Sequence, residues 1–319
     1  MINDLIMTGI TILVGAVSVI VTLLLSNRTR LRQHQTRNLI QEITGLFAAS
    51  QKVGIVTAYE NREMALLKSN GQSDGAITQE YHQSFVSRLE TERKMIVVGS
   101  SLLGLRMYVN HLPEIIAGRI LAHLETKFIM THPCFSGFRE SQEERSSGQI
   151  AKEIDNMVST LMGFGLKLEK SLRFYKGTPT CFAVITSEAM LLNPYPYQIE
   201  AFQSFCIEVR RLPQNITKMM QSKGQELCIP PQIDPKYRKD FEQLMNSPEE
   251  AAYDYRLNVG PDIYGQFYWY HYLLPWFSRE IVTYDEYCEH CVNCPCLENG
   301  FSESICKLHQ NEKEMIEKK

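Results

Sequence analysis

The sequence predicts an α/β fold: a mixed sheet with helices on both faces, preceded by one transmembrane helix and followed by a mainly helical region that ends in a Cys-rich tail. Three observations carry this reading. Residues 5–25 contain no charged side chain, residues 53–162 alternate short strand-like runs with helix-period segments, and residues 166–209 hold strand-like runs separated only by short turns.

The apolar run comes first. At about 1.5 Å of rise per residue it reaches roughly 30 Å as a helix, the thickness of a hydrocarbon core, and only a helix satisfies its backbone there. Asp4 alone precedes it, whereas Arg28, Arg30, Arg32 and Arg37 follow it, the reverse of a cleavable signal peptide. The positive-inside bias then predicts a single-pass protein of the inner (cytoplasmic) membrane, its N-terminus outside and the bulk of the chain cytosolic. Leu39, Ile40, Ile43, Leu46 and Phe47 recur at helical spacing, which predicts a basic juxtamembrane helix. The expected organisation is an anchor over 1–27, that helix over 28–52, an α/β ligand-binding domain over 53–220, a helical aromatic-rich region over 221–285 and a Cys/His-rich tail over 286–319.

Within the α/β domain, strands are expected at 53–59, 95–98 and 127–131, with helices around 81–92, 113–124 and 149–162 between and after them. Strands separated by helices imply parallel pairing. Further strands at 166–174, 181–186, 189–192 and 205–209 sit too close together for crossovers, so part of the sheet is antiparallel. Gly224, Pro230, Pro231 and Pro235 mark a linker, after which 236–245 and 248–255 read as helices. Ile263, Phe267, Tyr270 and Leu274 repeat at helical spacing until Pro275, an aromatic helix whose period suits a core face better than a stacking surface.

Composition narrows the function. The chain of 319 residues totals −3, and its first 37 hold four Arg against Asp4, so the remainder carries −6. An acidic body predicts no general nucleic-acid binding, which calls for a basic face. Nine Cys in a reducing compartment are expected as thiols or metal ligands rather than disulfides. Cys181 and Cys206 fall inside strand runs, where Cys acts as a small hydrophobe.

Two candidate sets, on three strand ends, qualify as a ligand site. Gly99, Ser100 and Ser101 end one strand with small residues, and Tyr59, Glu60, Asn61 and Arg62 end another, while Thr131 and His132 end a third. If the three strands run the same way, all emerge on one edge, where α/β folds place ligands. Arg62 would clamp an anion there. For the residues singly, a tight turn at Gly99, a helix cap at Asn61 and a surface ion pair at Arg62 are the competing readings. There is no Walker-type loop and no dinucleotide fingerprint.

The order of these segments, Tyr59-Glu-Asn-Arg62, MIVVGSSLLGL, KFIMTHP, GTPTCFAVITSEAMLLNPYPY and FCIEVRR, resembles degenerate members of the phospholipase D-like superfamily found in bacterial regulatory and defence proteins. The resemblance covers about residues 53–211 and implies either that fold or a Rossmann-like one. Active members carry His-x-Lys-x4-Asp twice. Here His123 and Lys127 stand four apart, and the second half of the 53–211 span has no His at all, so the resemblance implies a phosphate-friendly pocket without phosphodiester cleavage.

The tail supplies the third candidate. Cys291-x2-Cys294 with Cys306-x2-His309 gives a Cys3His set for tetrahedral zinc, with Cys288 and Cys296 as alternates. The run of three Cys before and around Pro295 also suits an iron–sulfur cluster, although the fourth spacing departs from the ferredoxin pattern, and unliganded thiols are the third possibility. Together these features predict a membrane-anchored sensor or effector that binds a small phosphorylated or nucleotide-like ligand and signals to the bilayer through self-association, for which Gly9, Gly15 and Ala16 offer a small-residue face. A membrane-tethered phosphodiesterase or lipid head-group hydrolase is the alternative, with His132, Ser100, Cys134 and Cys181 as its available groups. A zinc-stapled assembly scaffold is the third.

Overall fold

Lys94–Gly99 is a six-residue strand buried on both faces, and its neighbours explain how. We describe the fold from a computed structural model covering residues 41, 45–46, 48–67, 85–90, 92–108, 111–195, 201–212, 229–247 and 263–296. The sheet has eight strands: β1 (Ile55–Tyr59), β2 (Lys94–Gly99), β3 (Glu125–Thr131), β4 (Leu172–Tyr175), β5 (Cys181–Thr186), β6 (Ala189–Pro194), β7 (Cys206–Arg210) and β8 (Ile281–Thr283). Their spatial order is β1-β7-β6-β5-β2-β3-β4-β8. Strands β2, β3 and β4 pair in parallel, and every other pairing is antiparallel. The fold is therefore α/β with a mixed sheet.

The alternation of side chains along β2 divides the core. Met95 and Val97 join one cluster with Leu112, Ile115 and Ile116 of the helix Leu112–Leu121 and with Ile150, Ile154, Met157 and Leu161 of the helix Gln149–Gly163. Ile96 and Val98 face the other cluster, with Phe241, Tyr264, Tyr268, Trp269, Tyr272 and Trp276. Helices thus cover both faces.

Four expectations are corrected. Strand β1 lies at the far edge of the sheet, paired antiparallel to β7 instead of beside β2. Gly54 allows its entry: the residue has φ +92°, and a Cβ there would stand 2.6 Å from the Arg210 carbonyl oxygen. The expected strand over 166–174 opens as a one-turn helix, Leu168–Ser171, and becomes extended only from Leu172. In the region expected to be helical, Ile281–Thr283 adds the eighth strand. Pro275 does not stop the aromatic helix but sits in the first turn of its last segment, Leu274–Phe277, which follows a π-helical stretch, Trp269–Leu273. The buried stripe runs through Tyr264, Tyr268, Trp269 and Tyr272, one residue on from Ile263 and Phe267 already before the π stretch, while Tyr270 is 55% exposed. The sheet supplies the buried phenols with partners, Lys94 Nζ donating to Tyr268 Oη and Lys127 Nζ to Tyr272 Oη.

Val53–Lys319 forms one compact unit and Met1–Lys52 a second. The described residues between 41 and 52 are helical. The expected anchor over 5–25 lies outside the described residues, and among those described no helix is long and apolar enough to cross a membrane.

Candidate functional site

Strand direction decides what meets at one edge. Counting parity across the pairings, β1, β2, β3, β4 and β6 all run the same way, so residues following each emerge on the same side of the sheet. There a cavity of about 330 Å³ is lined by Arg62, Ser100, Ser101, Arg145, Tyr195 and Phe202 among others.

Arg62 opens the helix Arg62–Leu67 directly after β1. Asn61 caps that helix, its Oδ1 accepting from Met64 N at 2.9 Å. Arg62 is buried, and its Nε and Nη2 both donate to Asn193 Oδ1 at the end of β6, at 2.9 and 2.6 Å. Its guanidinium also stands 4.1 Å from the centre of the Phe182 ring. Asn193 is oriented in turn by donating to the Ser204 and Phe205 carbonyls.

Ser100 and Ser101 follow β2. Ser100 N donates to Tyr195 Oη at 2.8 Å, and Gly99 makes room for that phenol, because a Cβ there would lie 2.9 Å from the same oxygen. Ser100 is 8% exposed as a residue, and its hydroxyl oxygen, itself shielded, has no hydrogen-bond partner among the described residues. Ser101 Oγ donates to Glu153 Oε2 at 2.7 Å, and Arg145 Nη1 holds the other oxygen of Glu153 at 2.7 Å. Glu143 pairs with both Arg145 and Arg139, and Arg139 lies over the Tyr195 ring at 4.2 Å. Leu102, between the serines and their helix, has φ 58°, a left-handed conformation that β-carbon-bearing residues seldom adopt. Burial raises the pKa of Tyr195, so its hydroxyl stays protonated. The N-terminus of Gln149–Gly163 borders the cavity, yet its amides are engaged: Glu140 accepts from Gly148 N and Ile150 N at 2.9 and 2.8 Å.

Of the expected ligand residues, the structure brings Arg62, Ser100 and Ser101 to this cavity, with Gly99 and Asn61 in support. Tyr59 turns sideways to donate to Glu208 on β7, and Glu60 is exposed. His132 is removed from the set. It is wholly buried at the other end of the edge, where Nδ1 accepts from Cys134 N and Nε2 meets Cys291 Sγ at 3.2 Å. Burial, with the Lys176 charge, pushes its pKa down to about 3, so the ring is neutral. Asn193, Tyr195, Arg145, Glu143 and Glu153 were missing from the sequence reading. Only Asn193 and Tyr195 carried any signal, as polar residues ending a buried strand.

The second cluster at this edge is made of sulfur. The Sγ atoms of Cys134, Cys294 and Cys296, all buried, lie within 4.8 Å of one another, close enough to hold a metal ion. Cys134 follows β3 in a short 3-10 turn, and the tail cysteines are delivered by the helix Tyr284–His290. That helix starts at a Thr283/Glu286 capping box, a pattern legible in the sequence as Thr-x-x-Glu. Cys288, an expected alternate, is exposed and apart from the cluster, whereas Cys296, the other alternate, belongs to it. Cys306 and His309 lie outside the described residues.

No family model and no curated protein matches the chain. Among solved structures, TrmBL2, an archaeal chromatin protein described as showing a novel mode of DNA binding, overlaps at a TM-score of 0.28 with 10% identity, over 68% of this chain and 65% of that one. The expectation that nucleic acid is not a partner rested on net acidity alone and is withdrawn. At that TM-score the likeness carries no argument about the partners of this chain in either direction.

Proposed function

We propose that the protein is a membrane-anchored sensor whose cavity at the common strand edge takes a small phosphorylated or nucleotide-like ligand, with a zinc ion at Cys134, Cys294 and Cys296 stapling the tail. The observation that carries the ligand reading is the Ser100 hydroxyl, shielded and without a partner among the described residues, in the wall of a cavity that Arg62 and Arg145 also line. An orphaned buried hydroxyl costs about 1–3 kcal/mol, which a ligand acceptor oxygen would offset. Arg62 contributes a positive charge held in place by Asn193, and Phe182, Tyr195 and Phe202 supply flat apolar walls. Burial pushes the Cys181 thiol up to about 12, leaving it protonated and poorly nucleophilic at neutral pH, which weakens the hydrolase alternative at that residue. The anchor at 5–25 makes self-association in the membrane the output.

Thermal melting of the detergent-purified chain with AMP, inorganic phosphate and, as the uncharged control, adenosine tests this. A phosphorylated probe at 100 times its Kd stabilises by about 2.7 kcal/mol, a rise of roughly 5–10 °C. Ser100→Ala should weaken binding about tenfold, the loss of one hydrogen bond to a charged group. Absence of any shift with millimolar AMP and phosphate, or equal shifts with adenosine, overturns the reading.

A further inference from the structure

The three-cysteine cluster leaves a tetrahedral ion one ligand short; Cys291, buried in the same core cluster, lies outside the set of sulfurs within 4.8 Å of one another and would have to move inward to close the site. Cys291 is wholly buried at the C-terminus of its helix. The chain then turns tightly, Cys294 N donating to Cys291 O at 2.9 Å with Asn293 in the left-handed region at φ 64°. Such a turn folds the two ends of a Cys-x2-Cys segment toward one point. On the opposite side, Cys134 and His132 stand two residues apart in the turn after β3, and His132 reaches Cys291 Sγ.

The histidine's hydrogen bonds define its role. Cys134 N–H can only donate, so Nδ1, which accepts it, carries the lone pair and the neutral ring has its proton on Nε2. That N–H is aimed at Cys291 Sγ at 3.2 Å. A proton there excludes Nε2 as a ligand and makes it the kind of outer donor that orients a coordinated thiolate.

We propose that Cys291 completes a tetrathiolate zinc site with Cys134, Cys294 and Cys296, and that His132 Nε2–H hydrogen-bonds its sulfur. The inference deepens the three-cysteine zinc reading and rests on it. Binding exchanges protons for metal: four thiols and one Zn²⁺ give the tetrathiolate, net charge −2, and four protons. At about 2.3 Å per Zn–S bond, tetrahedral sulfurs stand roughly 3.8 Å apart, so the three already within 4.8 Å close by about 1 Å or less. Zinc is preferred over softer or redox metals because a closed, buried, all-thiolate set of this size matches structural zinc. The site would join the turn after β3 to a tail about 160 residues later.

Metal analysis of the full chain, purified without chelator, should give about one zinc per protein and no iron or sulfide. Alkylation with and without zinc, read by mass spectrometry, should show Cys134, Cys291, Cys294 and Cys296 protected and Cys288 modified in both states. This readout needs no variant to fold. In chelator competition, Cys291→Ser should lose at least about a hundredfold in zinc affinity, His132→Gln about tenfold, and Cys288→Ser nothing. Replacement of zinc by Co²⁺ should give the ligand-field spectrum of a tetrahedral tetrathiolate, altered in Cys291→Ser. If the wild type holds zinc but Cys291 alkylates freely or its Ser variant competes unchanged, the fourth-ligand assignment falls while the three-cysteine reading stands. If the wild type holds no zinc, or holds iron with sulfide, that reading falls and takes the assignment with it.

Discussion

Replacing Arg62 by Met tests whether the cavity is assembled by the contact between the β1 and β6 ends. Met keeps much of the aliphatic stem and volume, so packing changes little. What goes is polar: Asn193 Oδ1, wholly buried, loses donors at 2.9 and 2.6 Å, and Phe182 loses a guanidinium 4.1 Å from its centroid. An orphaned buried acceptor costs about 1–3 kcal/mol and a desolvated cation–π contact about 2. Removing a buried charge returns part of its desolvation, so the net loss is about 2–4 kcal/mol, or roughly 5–15 °C in Tm. Lys in the same place keeps the charge but not the fork and should lose about 1–2 kcal/mol. Urea unfolding followed by tryptophan fluorescence is the assay, since Trp269 and Trp276 are both buried against the other face of the sheet and report global unfolding. A double-mutant cycle with Asn193→Ala should show about 1–3 kcal/mol of coupling. Stability of Arg62→Met within 0.5 kcal/mol of wild type, or additivity in the cycle, refutes the argument that this pair organises the edge.

Gly104→Ala should destabilise by about 1–3 kcal/mol despite better helix propensity, because its Cβ would stand 2.0 Å from Arg62 Nη1, whereas Gly118→Ala, with open space around it, should stabilise by about 0.5–1 kcal/mol in the same thermal melts. Glu140→Ala should cost about 2–4 kcal/mol in urea unfolding, since it leaves Gly148 N and Ile150 N without their carboxylate cap, and Glu140→Gln should cost less. Burial holds the pKa of His271 near 4 against about 6.5 unfolded, so between pH 6.5 and 4 only the unfolded state takes up this proton. Stability should therefore fall as pH falls through that window, by about 2–3 kcal/mol for this group, and His271→Gln should flatten the urea-midpoint profile by that amount.

The parts of the fold legible in the sequence are those where a physical period operates inside one segment. Strands β2, β5 and β6 each hold a run of four or five apolar residues and β3 the shorter Phe128-Ile-Met130, and the helix Gln149–Gly163 buries Ile150, Ile154, Met157 and Leu161 on one stripe. Where distant segments decide the outcome, the sequence misled. Three residues of β8 carry too little pattern to identify, and they are extended because β4 offers an edge to pair with. The aromatic stripe is misread by a residue because Lys94 and Lys127 on the sheet donate to Tyr268 and Tyr272 and so satisfy those phenols in the core. Arg62 was visible as a cation after a strand, but its partner Asn193 stands 131 residues away. Cys134 looked like an isolated thiol for the same reason, its companions lying about 160 residues further on.

One topological fact links the two clusters. Four antiparallel pairings, through β5, β6 and β7, separate β2 from β1, which restores β1 to the orientation of the parallel core and returns Arg62 to the edge that carries Ser100. Along that edge, Thr131 N donates to Ser100 O, His132 N to Tyr175 O, and the turn continues through Cys134 into the helix Gly137–Gln142, which presents Arg139 and Glu140 to the cavity region. Only a few residues separate the thiol cluster from the groups that hold Tyr195 and cap the helix beside Glu153. A change in how the tail is held at Cys134 therefore acts on the cavity wall through a short, hydrogen-bonded stretch of backbone, and melts of Cys294→Ser with and without AMP would read that linkage as a smaller ligand-induced shift than in the wild type.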